Sequence, residues 1–268
     1  MSPIKNINFP YAQTSFTIAA RLPPRPSGLA GMLLGRQAAL GRLCHFCRAV
    51  LKTVVYVDGY NLYYGLLRRT AFKWLDLYAL FANHVLDSDT DVVDVRYYTA
   101  PVLRKMSDDP ESPQRQRIYL QALRKMPPGR ITIVEGKMHH ATPHQRLVNP
   151  ILEAPHLETV QVNVFNEKKT DVNLASDMIV GAWTGAYEQA VLCSNDSDLE
   201  AALAAIRRHH PQLRLGLVAP ISGDDHRKIS RDLTQYVDWK KALSTVHLAN
   251  AQLPAKIPKT TIHKPVSW

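Results

Sequence analysis

At 268 residues and 46% hydrophobic, the chain has enough apolar material for a packed core, as one large domain with appendages or as two small ones. Its net charge of +10 suggests a polyanionic partner, but residues 1–50 hold six Lys or Arg and no acid, and Lys256, Lys259 and Lys264 crowd residues 254–268. Removing those nine from 33 leaves 24 basic residues against 23 acidic, so the body is nearly neutral and excludes a uniformly basic nucleic-acid binder. Any nucleic-acid affinity of the body must then come from local patches, with Arg68-Arg69, Arg104-Lys105, Arg115 with Arg117, Arg124-Lys125 and Arg207-Arg208 as candidates, although each taken singly reads first as a solvated helix face.

Residues 1–50 carry Pro23-Pro24-Arg25-Pro26 and a weakly amphipathic stretch from Leu29 to Val50. A mitochondrial presequence has that composition, and so does upstream sequence never selected to fold. Residues 1–51 are therefore set apart as a disordered or spurious extension. Within them Cys44 and Cys47 form a lone C-x-x-C. No second pair follows, so it is neither a zinc site nor a placed redox motif. Three cysteines make no disulfide framework, which points to a reducing, cytoplasmic setting. No apolar run approaches the ~20 residues of a membrane span.

Beyond that point, strand-like runs fall at 53–58, 92–99, 130–135, 189–194 and 213–219. Helix-like segments at 74–86, 112–126, 171–184 and 197–209 separate most of them. Alternating strands and helices predict a mostly parallel sheet with helices on both faces. The stretch 136–168, punctuated by Pro143, Pro150 and Pro155, predicts an irregular hairpin or flap, with Val160–Phe165 as a half-exposed strand. Residues 246–268 read as a basic tail. If the strand order is 3-2-1-4-5, the sheet reverses between its first and fourth strands, and ligands bind beyond the carboxyl ends of strands at such a reversal.

Acidic residues gather there. Asp58 ends the first strand in V-D-G-Y-N, with Asn61 as an orienting donor. Asp196 and Asp198 end the fourth in S-N-D-S-D-L-E. Asp171 opens the helix between them, with Thr170 as its N-cap. Each acid alone has a structural explanation, as a cap or as a first-turn charge favoured by the helix dipole. Ser197 and Glu200 fit a capping box, S-x-x-E. Clustered carboxylates, however, repel and resist desolvation, and a shared divalent cation offsets both costs. Asp177 lies six residues past Asp171, about 120° around a helix, and is peripheral. The histidines show no ligand spacing. No Gly-rich phosphate loop and no G-x-S-x-G is present, which argues against dinucleotide oxidoreductases, P-loop NTPases and serine hydrolases. A haloacid-dehalogenase-type phosphatase wants D-x-D at the first strand, and position 60 is Tyr.

Three pieces, V-Y-V-D-G-Y-N-L-Y-Y-G at 55–65, K-K-T-D-V-N-L-A at 168–175 and S-N-D-S-D-L at 194–199, resemble the NYN family of PIN-like ribonucleases, including its LabA-like branch. The closing I-H-K-P-V-S-W at 262–268 looks like a family ending. The resemblance implies a PIN-like, Rossmannoid α/β domain over residues 52–245 and divalent-metal-dependent cleavage of RNA. It would make Asp58, Asn61, Asp171, Asp196 and Asp198 the catalytic residues, with the four aspartates holding Mg²⁺ or Mn²⁺. The partner would be RNA, single-stranded if Tyr60, Tyr63 and Tyr64 stack on unpaired bases. Self-association is left open, and a catalytically silent nucleic-acid-binding module of the same fold is the alternative. Lys169 is a departure, since relatives often carry glycine there.

Overall fold

The structure is a computed structural model and describes residues 50–106, 109–149, 151–154, 156–221 and 228–268. The extension set apart above, with Cys44 and Cys47, lies outside them except for Val50 and Leu51. In chain order the elements are β1 (Leu51–Asp58), α1 (Gly59–Leu62), α2 (Leu77–Ala79), β2 (Thr90–Thr99), α3 (Ser112–Lys125), β3 (Ile131–Glu135), β4 (Lys137–Ala141), β5 (His144–Arg146), β6 (Thr159–Gln161), β7 (Val164–Lys168), α4 (Thr170–Trp183), β8 (Gln189–Cys193), α5 (Glu200–His209), β9 (Arg214–Ala219), α6 (Arg231–Thr234), β10 (Trp239–Ala242) and α7 (Thr245–Asn250). Wider helical turns extend α1 through Leu67 and α2 through Val85. A tight turn, Ser197–Leu199, leads into α5.

Six strands form one parallel sheet in the order β10-β9-β8-β1-β2-β3. The predicted reversal is therefore present, between β1 and β8. β1 is the central strand and is buried from Thr53 to Asp58, as a strand covered on both faces must be. Its period-two alternation divides the core. Val55 and Val57 face one layer, with Leu80 and Phe81 after α2, Leu120 and Leu123 of α3, and Leu248 of α7. Val54 and Tyr56 face the other, with Leu174 and Met178 of α4 and Leu203 and Ile206 of α5. Helices thus cover both faces.

The stretch 136–168 is a hairpin in two tiers: β4 pairs antiparallel with β7, and β5 with β6. The single strand expected over 160–165 is broken, because Val162 and Asn163 stand between β6 and β7. β10 was not foreseen. It is four residues long, carries two lysines and lies at the edge, as protected edge strands do.

Residues 246–268 are built into the fold rather than trailing from it. Leu248, Ala251, Leu253 and Ile257 join the core. Leu253 N donates to Trp74 O at 2.9 Å, and Trp74 Nε1 donates to Pro254 O at 2.9 Å. Trp268 packs edge-on against Tyr119, ring centres 5.8 Å apart. Three lysines dominate this segment's composition, while the spaced apolar residues between them do the packing.

Gly216 of β9 lies beneath the Trp239 indole, where any Cβ would strike the ring. Gly216→Val is expected to destabilise the fold by roughly 1–3 kcal/mol through overpacking, read as a lower denaturation midpoint in urea.

Candidate active site

Asp58 and the Ser194-Asn195-Asp196 turn leave the carboxyl ends of β1 and β8, the two strands that flank the reversal. Asp58 is 4% exposed. Its Oδ1 accepts from the backbone N–H of Asn61 at 2.9 Å, so it does cap α1. Its Oδ2 accepts from the Ser194 hydroxyl at 2.9 Å, and that hydroxyl accepts from Asp196 N at 3.1 Å. One serine thereby fixes both acid-bearing loops. Gly59 lets the chain turn against β2, since a Cβ there would lie 2.5 Å from Tyr98 O. The sequence motif V-D-G is thus explained by close approach.

Asn61 works differently from expectation. Its main-chain N–H, not its side chain, meets Asp58. Its side-chain Oδ1 accepts from Asn195 N at 3.1 Å and ties the two loops together. Asn195 in turn accepts from Ser230 N at 2.8 Å and donates to Lys228 O at 3.2 Å, latching the turn to the start of α6. Asp196 caps the Ser197–Leu199 turn by accepting from Asp198 N at 3.0 Å. The expected Ser197–Glu200 capping box is therefore absent. Glu200 instead accepts from Tyr236 Oη at 3.1 Å and Gln235 Nε2 at 3.3 Å.

Asp171 lies in the first turn of α4. The residue before that helix is Lys169, not the expected Thr170 cap, and it adopts φ 80°, ψ −16° with no side-chain cap bond. That left-handed geometry is the physical reason glycine suits the position. Lys169→Gly is expected to raise stability by about 0.5–1 kcal/mol, as relief of strain outweighs the added chain entropy; Lys169→Val should lower it. Urea denaturation of both variants checks the sign.

The acids sense one another. Burial first, and then the charges of Asp171 and Asp196, raise the Asp58 carboxyl to about 6 against the pull of its two hydrogen bonds. Asp171 is raised by burial and by the charges of Asp196 and Asp198. A fifth acid, Glu167 of β7, belongs to the group. Burial first, and then the charges of Asp58 and Asp171, raise it to about 7. Its Oε1 is buried with no hydrogen-bond partner among the described residues. The sequence signal was its place at the end of a strand running into the Asp171 helix. Asp177 stands apart: it accepts from Tyr98 Oη at 2.8 Å and lies 3.8 Å from Arg96.

Among the described residues, no three His, Cys, Asp or Glu side chains are already disposed as ion ligands. The donor set is nevertheless all hard carboxylate oxygen, and one buried oxygen lacks a donor; both properties suit a divalent cation. No helix among the described residues is long and apolar enough to cross a membrane.

A parallel sheet with an acidic centre at its reversal places the chain among PIN-like α/β domains. The sequence profile of the NYN domain matches residues 52–239, and the chain belongs to that family. It is 36% identical over 238 residues to 6-hydroxy-3-succinoylpyridine 3-monooxygenase HspA of Pseudomonas putida, a match covering 81% of this chain and 75% of that protein. A protein of unknown function from Vibrio parahaemolyticus, VPA0982, aligns with a TM-score of 0.41 and 17% identity, covering 76% of this chain and 98% of that one.

Proposed function

We propose that this protein is a divalent-metal-dependent ribonuclease acting on single-stranded RNA in the cytoplasm, with residues 52–245 as the nuclease domain. The observation that carries the reading is the buried Asp58, raised by burial and by the negative charges of Asp171 and Asp196 where the sheet reverses. Asp58, Asp171, Asp196 and Asp198 would hold Mg²⁺ or Mn²⁺, with Glu167 as a fifth carboxylate of the group. Such an ion, when bound, supplies Lewis acidity to a phosphodiester and lowers the pKa of water. The chain itself supplies order. Ser194 and the Asn61 N–H hold the Asp58 carboxylate in one orientation. The Asn61–Asn195 bond keeps the two loops in register. Tyr63 and Tyr64, 36% and 51% exposed in the turns that follow α1, present faces on which unpaired bases stack.

The deciding assay incubates structured and unstructured RNA and DNA with Mg²⁺, with Mn²⁺ and with chelator. Metal-dependent cleavage of unstructured RNA supports the proposal; binding without cleavage identifies a silent module. The Pseudomonas relative motivates a second reading, oxidation of a hydroxypyridine acid. Oxygen uptake with 6-hydroxy-3-succinoylpyridine and a nicotinamide reductant, in the same preparation, separates it from the first.

A further inference from the structure

A cavity of about 340 Å³ opens from Gly59 onward, lined by none of the acids of the candidate site. That volume lies within the range of small-ligand sites. Its walls are aromatic: Tyr60, Tyr63 and Tyr64 come from α1 and its extension, and Tyr97, Tyr119 and Trp268 close the other side. A slot between ring faces receives another flat ring at low entropic cost. The charge of the lining is one-sided. Among the described residues that line it, Arg68, Lys73 and Arg115 stand against Asp109, which is paired with Arg115, and Glu111 lies 3.9 Å from the same guanidinium. Arg68 sits 5.5 Å from the centre of the Tyr64 ring, where it would flank any stacked guest. Arg115 is 9% exposed; its terminal nitrogens meet Asp109, Ser112 and Glu111, and its Nε has no hydrogen-bond partner among the described residues. A buried guanidinium N–H of this kind is completed by an ordered water or by a ligand's acceptor.

We propose that this cavity binds a planar heteroaromatic ring carrying an anionic group. The ring lies among the tyrosines and Trp268, and the anion meets Arg115 and Arg68. A nucleotide, with base and phosphate, has that chemistry; so does a free hydroxypyridine carboxylate. The inference deepens the ribonuclease reading, in which the ring is a base of the bound RNA, and it also stands without it, because a free aromatic acid uses the same groups.

Calorimetric titration of the full protein in chelator, with UMP, AMP and 6-hydroxynicotinate, tests it. Tryptophan fluorescence gives a second readout through Trp268. Ribose 5-phosphate and neutral pyridine serve as the anion without the ring and the ring without the anion. Saturable binding of at least one ring-bearing anion is expected, with both controls about tenfold weaker or more. Tyr64→Ala and Arg68→Gln, at the open edge of the cavity, should each weaken binding about tenfold, the size of one lost stack or charge contact, with an unchanged melting temperature. Preference for the nucleotides assigns the ring to RNA, and preference for the pyridine acid assigns it to a free small molecule; either supports the site. Absence of saturable binding, or parental affinity in both variants, overturns it. Retained binding with no RNA cleavage would instead sink only the ribonuclease reading.

Discussion

Asp58→Asn is expected to abolish metal-dependent RNA cleavage, by roughly a thousandfold or more, while the protein stays folded. Several kcal/mol of transition-state stabilisation flow through an active-site ion, and a loss of that size corresponds to such a factor. The asparagine keeps the shape of the carboxylate. Its Oδ1 can still accept from the Asn61 N–H, and its amide can donate to Ser194 Oγ where the acid accepted. Asp196→Asn and Glu167→Gln should follow the same pattern. Asp177→Asn is the control, because Asp177 serves Tyr98 and Arg96 instead. It should cleave at the parental rate. Single-turnover cleavage of an unstructured RNA in Mn²⁺, beside a thermal melt of each variant, measures both properties. A parental rate in Asp58→Asn would remove the basis of the proposed function.

In chelator, the protein is expected to lose stability as the pH rises from about 4 to 7. Asp58 moves from an ordinary 3.8 to about 6 on folding, and Glu167 from 4.5 to about 7. Both folded pKa values are raised, so between the ordinary and folded values the native state holds protons that the unfolded chain has released. Their contribution is complete below about pH 4 and fades as the pH passes through 6 and 7. For Asp58, almost fully buried, the difference is on the order of 3 kcal/mol at neutral pH. Glu167 is only half-buried, and solvent screening makes its share smaller. A cation bound between the carboxylates reverses the effect, so millimolar Mg²⁺ or Mn²⁺ should raise the melting temperature at pH 7.5 and do little at pH 4.5. Asp58→Asn should flatten most of the slope. A chelated protein whose melting temperature climbs steadily from pH 5 to 8 would contradict this account.

Much of this architecture was readable because the central strands are extreme cases. β1 and β8 are short apolar runs buried on both faces, and each ends in a turn carrying Asp. That combination located both the sheet and its reversal. Other features depend on contacts that no local pattern carries. Glu200 has the spacing of a capping box, but Tyr236, far along the chain, captures it. β10 is too short and too basic to register as a strand. Glu167 lies in a stretch broken by prolines, where alternation fades, and only the folded hairpin brings β7 beside Asp58 and Asp171. Leu248, Leu253 and Ile257 show no helical or strand period, yet they close one face of the core.

The order of the strands also bears on how the chain must fold. β1 finds β2 early, with Leu51 paired to Thr90, but its other edge waits for β8 and the bond from Ser194, 136 residues further along the chain. Until then a flat apolar strand stands with one row of amides and carbonyls unpaired. Long-range parallel pairing is slow, and an open edge of that kind templates pairing with other chains. The interval between synthesis of β2 and arrival of β8 is therefore the period of greatest aggregation risk, when a chaperone covering Val54–Val57 would raise the yield of native protein most.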